Sequence, residues 1–245
     1  MDTGYYAACS ALVARMQVLD SIANNLANAS TVGYRAEHHV FGSVLASHAD
    51  ASDSPLNDAI NDFGVVSGTT LDLSQGSLQK TGNELDLGIE GTGYFEVQTA
   101  NGVMYTRNGS LHVSSTGQLV TASGDQVMGD KGPITLAPGP VSISADGTIS
   151  VKGAVTGKLK VVEFPKGTQI ASMGNTYYSA PANTAQEATN SSVRQGMLEN
   201  SNVNPITSMV ELVTAQRSAE MMQRALAMFN SEMDKTATQD VAKAS

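Results

Sequence analysis

Charge is scarce in this 245-residue chain: Asp, Glu, Lys and Arg make up 15% of it, against about a quarter in ordinary globular proteins. Solubility must then rest on Ser, Thr, Asn, Gln and exposed backbone, as in elongated β-proteins rich in turns. Positive charge is scarcest, with 14 Lys and Arg against 23 Asp and Glu and a net charge of −9. Phosphate binding needs a basic face, and no run of Lys or Arg supplies one, so nucleic acid is not an expected partner. Cys9 is the one cysteine, which excludes an intrachain disulfide and a thiolate metal cluster. Long apolar runs are missing too. Nothing approaches the roughly 20 residues needed to cross a bilayer, so no membrane-spanning segment is expected. The first residues lack a secretory signal's basic start and unbroken apolar core, because Asp2 comes first and Arg15 interrupts. The expectation is a cytosolic protein, or one exported by a route that reads no cleavable signal.

What is there begins at the two ends. Tyr5, Cys9, Leu12, Met16, Leu19, Ala23 and Leu26 alternate spacings of four and three, the a/d seam of a helix packed along a partner helix. Leu212, Ala215, Ala219, Met222, Leu226, Phe229 and Met233 repeat the alternation near the other end. A lone helix of the first kind is marginal in water, so the ends are expected to order when packed. Spacing leaves open whether they pair within one chain or between chains. The first helix is placed from about Thr3 to Ala29, with Asn24, Asn25 and Asn28 crowding its last turns and Gly33 as the stop. Asn204-Pro205 suits the start of the last helix, Asn as cap and Pro at the first position. The residues expected at a subunit interface are Leu12, Met16, Leu19, Ile22, Ala23, Asn24, Asn25, Leu26 and Asn28 at the front. Leu212, Ala215, Ala219, Met222, Leu226 and Phe229 are expected there at the back.

Between the ends the period drops to two. Leu85, Leu87 and Ile89 alternate with Asp86 and Gly88, and Tyr94 to Gln98 continues as a strand. Turn signals recur at Gly91-Thr92-Gly93, Asn101-Gly102, Asn108-Gly109, Thr116-Gly117, Gly124-Asp125 and Asp146-Gly147, each read as a hairpin. Gly157 reads as a further bend. The fold class expected is α+β: long N- and C-terminal helices forming a coiled-coil-like stem, with a central, mainly antiparallel β-domain. The segments are 1–35 for the N-terminal helix, 36–62 for an irregular linker, 63–200 for the β-rich domain and 201–245 for the C-terminal helix.

Chemistry finds little purchase. His38, His39 and His48 have no matching Cys or paired His downstream, so exposed side chains are the reading rather than metal ligands. Asp86, Glu90 and Glu96 share one strand parity, a paired-carboxylate arrangement that a glycosidase would need. Acidic residues opposite an apolar face are equally the solvent side of a strand. No Gly-x-Ser-x-Gly, His-Glu-x-x-His or phosphate-cradling loop is present. No enzyme, metal or cofactor is expected.

Three stretches resemble the bacterial flagellar rod and hook family. They are Leu19-Asp20-Ser21-Ile22-Ala23-Asn24-Asn25-Leu26-Ala27-Asn28 with Thr31-Val32-Gly33-Tyr34-Arg35; Leu85 to Phe95 with Tyr105-Thr106-Arg107-Asn108-Gly109-Ser110; and Gly196 to Pro205 with Met209-Val210-Glu211-Leu212. The resemblance implies an axial protein that stacks helically, terminal helices lining an inner tube and the β-domain outside. It implies as partners other copies of the chain, other rod proteins and the flagellar export apparatus. It implies a periplasmic place in the basal-body rod, reached without a cleavable signal. One main β-domain is similar to rod rather than hook members. Pro205 and Ala215-Gln216-Arg217 look like the distal rod type; the shorter length and the divergent end from Met228 favour the proximal type, which is the expectation. A polymeric adhesin or tail-like fibre is the alternative outside the family.

Overall fold

In a computed structural model that describes residues 2–42 and 65–243, two helices flank a β-structure. Helix α1 spans Asp2–Ala27 and helix α2 spans Pro205–Lys243. Proline at the first position of α2 sets φ for a helix and gives up an N–H that has no helical partner there. Helix α1 stops two residues earlier than the asparagine-rich sequence suggests. Asn28 is the reason: its carbonyl accepts the Thr31 N–H at 3.0 Å and its side chain accepts the Thr31 hydroxyl at 3.1 Å. That is a local turn competing with the helix. His48 and most of the 36–62 linker lie outside the described residues. The start of that linker is strand: Glu37–Gly42 pairs with Val65–Leu71.

The chain divides into two compact units. One holds α1 to Leu26, residues 37–69 and α2. The other holds residues 27–36 together with 70–204, so ten residues from the front of the chain belong to the β-unit.

The β-unit is built on a ten-stranded, antiparallel sheet. Its path runs Ala171–Ser172, Tyr177–Ser179, Gly102–Thr106, Tyr94–Thr99, Gln126–Gly129, Leu119–Thr121 and Leu111–Val113, with Val161–Glu163 also pairing with Tyr94–Thr99. Alternation is clear in Gln126–Gly129 and Thr148–Val151, whose every second residue is buried. Tyr94 to Val97 is buried at all four positions, because the sheet carries apolar layers on both faces. Leu87, Ile89, Phe95, Val97, Leu119, Val127, Ile149 and Leu159 fill one. Tyr94, Val162 and Tyr178 fill the other, edged by Tyr105 and Phe164 with ring centroids 4.9–5.8 Å apart.

Four of the expected hairpins close as read. Asn101-Gly102, Thr116-Gly117, Gly124-Asp125 and Asp146-Gly147 each join strands that pair with one another. Two do not. Gly91-Thr92-Gly93 follows the strand Leu87–Glu90, whose partner is Ser192–Gln195 from the far end of the unit. Asn108-Gly109 lies where Gly109 presses on the Leu87 carbonyl, a spot with no room for a Cβ. Gly157 is not a bend either: it sits inside the strand Ala154–Lys158, opposite Ile149. Residues 192–199 supply two more strands: Ser192–Gln195 pairs with Leu87–Glu90 and Met197–Glu199 with Leu78–Lys80.

Candidate assembly site

Helix α1 turns its smaller residues inward. Ala14 and Asn25 are buried, and Val18 and Ser21, which share their face at helical spacing, are half-buried. Asn25 is fixed by an amide bracket: its Nδ2 donates to the Glu37 carbonyl at 2.8 Å and its Oδ1 accepts the Glu37 N–H at 2.9 Å. The Ser21 hydroxyl donates to the same carbonyl at 3.1 Å. The seam read from sequence lies about half a turn away. Along it Leu12, Leu19 and Leu26 are half-buried, as Val18 and Ser21 are, while Met16 and Ala23 are exposed. Ile22 and Asn28 are half-buried and Asn24 is exposed. Within this chain the α1 seam is thus partly protected, and among the described side chains of α1 the large apolar ones standing in solvent are Val13 and Met16.

Helix α2 protects its seam more fully. Ala219 and Leu226 are buried, and Leu212, Ala215 and Met222 are half-buried, in line with buried Ser208. The seam of α2 is its protected face; the side chain of Phe229 lies outside the described residues. A second apolar row runs up the other side, at the same spacing: Ile206, Val210, Val213, Met221 and Met228 are 47–76% exposed. Arg217 and Arg224 fall in that row; Arg224 faces Glu220 at 3.8 Å, with both side chains mostly in solvent. Such a pair is worth a few tenths of a kcal/mol at most.

The three sequence motifs meet elsewhere, inside the β-unit. Gly33 adopts φ +71° and lies so close to the backbone of Arg107 and Asn108 that a Cβ would collide with it. Its N–H donates to the Glu199 carbonyl at 2.8 Å, and its carbonyl accepts the Tyr178 hydroxyl at 3.1 Å. Burial is the main reason the Tyr178 phenol is held well above its ordinary pKa, with the Arg35 charge opposing. Beside it, Arg35 Nη2 lies 2.6 Å from Glu199 Oε1 and Arg107 Nη1 lies 2.9 Å from Oε2, all three side chains at most 1% exposed. Arg107 is pinned further by the Gly91 carbonyl at 2.6 Å and by the Tyr94 ring, 4.9 Å from centroid to guanidinium carbon. Burial lowers its pKa, Glu199 opposes the shift and Arg35 adds to it. The Gly76 N–H completes the set, donating to Glu199 Oε1 at 2.9 Å. Sequence reading placed these residues in motifs but did not bring them together; nothing in the local pattern links positions so far apart.

Asn202 is a second amide bracket. Its Oδ1 accepts the Ala36 N–H at 2.8 Å and its Nδ2 donates to the Asp72 carbonyl at 2.9 Å. The carboxylates singled out as a catalytic possibility are dispersed among separate partners. Asp86 accepts from the Asn83 amide at 3.0 Å, Glu90 pairs with Arg194 at 2.7 Å, and buried Glu96 pairs with Lys160 at 2.8 Å. Each carboxylate thus has a neighbour of its own.

Three family profiles match in chain order. Residues 6–35 match the flagella basal body rod protein, 88–151 the flagellar hook protein FlgE/F/G D1 domain, and 194–239 the flagellar basal body rod FlgEFG protein C-terminal region. Arg35, Arg107 and Glu199 fall one in each. The chain is 35% identical to the flagellar basal-body rod protein FlgF of Caulobacter vibrioides, covering 90% of both. It is 32% identical to FlgF of Escherichia coli, covering 92% of this chain and 93% of that one. FlgG of Bacillus subtilis, also named a basal-body rod protein, is 31% identical over 81% of this chain and 84% of its own.

Proposed function

The chain belongs to the flagellar basal-body rod protein family and is a structural subunit of the rod, and we propose that it is the proximal type, building the tube through the outer faces of both helices. One observation carries the interface: α2 has a protected face and, opposite it, an apolar row left in solvent, and α1 leaves Val13 and Met16 in solvent. Apolar area removed from water contributes about 25 cal/mol per Å². Exposed apolar side chains along helices suit packing against helices of neighbouring subunits. The coiled-coil-like stem is then completed between chains, by other copies of this chain and by other rod proteins. The tube so formed transmits torque and passes export substrates. Delivery by the flagellar export apparatus to the periplasm, without a cleavable signal, belongs to the same reading.

The proximal assignment is supported by FlgF relatives at 31–35% identity, set against FlgG relatives at 27–31%. Expression in hosts lacking either FlgF or FlgG tests it. Swimming restored in the first host alone is expected; rescue of the FlgG-deficient host alone would make this the distal type. Met16→Asp, at an exposed position of α1, is expected to abolish rescue while the purified monomer keeps its unfolding midpoint. Normal swimming with Met16→Asp would remove the exposed side of α1 from the interface.

A further inference from the structure

Arg35, Arg107 and Glu199 hold two cations against one anion in a place without solvent access. The excess charge is poorly met: Arg35 Nε and Nη1 and Arg107 Nε are buried with no hydrogen-bond acceptor. The short contact from Arg35 Nη2 to Glu199 falls outside hydrogen-bonding geometry. A buried cluster of this kind is weak support for stability, and its best-attested use is to fix register or to switch. The three members also differ in how they are held. Arg107 sits in a nest made by neighbouring strands, through the Gly91 carbonyl and the Tyr94 ring. Arg35 comes from a short segment between Ala27 and Ala36, and Glu199 ends the last strand of the unit.

We propose that the three residues are a latch: residues 27–36 lock onto the β-unit only when Glu199 stands between the two arginines. Without Glu199, docking the segment would bury two like charges with nothing between them, at a cost that the Gly33 and Tyr34 contacts must overcome alone. With it, each guanidinium has a carboxylate oxygen, and the Glu199 carbonyl takes the Gly33 N–H as well. The last strand thus carries both the counter-charge and the backbone acceptor for the segment. Their neighbours Ala36 and Asn202 are joined by a hydrogen bond across 166 residues. Any route that delivers the N-terminus first, ribosomal synthesis included, therefore leaves residues 27–36 unlocked until Met197–Glu199 has paired with Leu78–Lys80. The segment that follows α1 stays free through delivery and closes at the end of it.

Hydrogen exchange on the full chain, followed by mass spectrometry of the peptide covering residues 27–36, tests the latch. Glu199→Gln leaves two unopposed cations and is expected to lower protection of that peptide by tenfold or more, roughly. The strand Tyr94–Thr99 should keep most of its own protection. Arg35→Met combined with Glu199→Gln removes one of the cations, and the double variant is expected to be several-fold better protected than Glu199→Gln alone, a sign of coupling that packing losses do not produce. This comparison also serves if Glu199→Gln weakens the whole unit. Wild-type protection in Glu199→Gln, or a double variant no better than the single, would overturn the latch.

Discussion

Asn25 and Asn202 each offer the main chain an amide where another peptide group would otherwise stand. One completes the pairing of Glu37, the other ties Ala36 to Asp72. Truncating Asn202 to alanine leaves the Ala36 N–H and the Asp72 carbonyl without that partner. An unmet, partly buried polar group costs about 1–3 kcal/mol, and Asn202→Ala is expected to lose that much, read from the urea midpoint. Tyr178 gives the same region a pH dependence. Its phenol is raised in the folded chain, chiefly by burial, from an ordinary 10.0. A raised pKa means that its contribution is complete below the unfolded value and is lost as pH climbs above it. Stability should accordingly fall above 10.0, and Tyr178→Phe should flatten part of that fall. Tyr105 and Tyr177 are raised too, again chiefly by burial, so some slope must survive the substitution; a curve unchanged by Tyr178→Phe would assign the whole effect to them.

Elements closed by their own turn were legible in the sequence, and elements closed by a distant partner were not. The hairpin at Asn101-Gly102 joins neighbours, so turn chemistry and period two were enough to find it. The strand Leu87–Glu90 has the same alternation, yet its partner Ser192–Gln195 lies about a hundred residues on, and a local pattern carries no address. Helix α1 shows a second limit. Its seam is half-buried at Leu12, Leu19 and Leu26, yet the most deeply buried positions are Ala14 and Asn25, on a face that reads as small and polar. Asn25, expected at a subunit interface, brackets the Glu37 main chain within the chain. Helix α2 allows the two faces to be separated by substitution. Ala219→Asp puts a charge on the protected face and is expected to cost about 2–4 kcal/mol, seen as an earlier far-UV melt. Val213→Asp, on the face left in solvent, is expected within about 0.5 kcal/mol of wild type in the same melt, yet to prevent incorporation into basal bodies. Equal melts for the two variants would mean that α2 has no preferred face.

At the scale of the whole molecule the opposing terms are a net charge of −9 and the apolar side chains that the helices leave in solvent. Subunits of like charge repel, and the repulsion reaches about a Debye length, roughly 10 Å at 0.1 M salt and 3 Å at 1 M. Apolar contact does not weaken with salt, and excluded salts such as sulfate strengthen it. Arg217 and Arg224 within the α2 row work the other way: ion pairs made by them across subunits would be screened as salt rises. The two mechanisms thus predict opposite signs. If the apolar side chains carry assembly, self-association of the purified chain should rise as sodium chloride goes from about 0.05 to 0.5 M, and rise further in sulfate. Sedimentation velocity reads this directly as a shift from monomer to larger species. Dissociation over the same range would move the weight of the interface from Val210, Val213 and Met221 to the two arginines. Arg217→Gln should then weaken assembly more than Val213→Asp does.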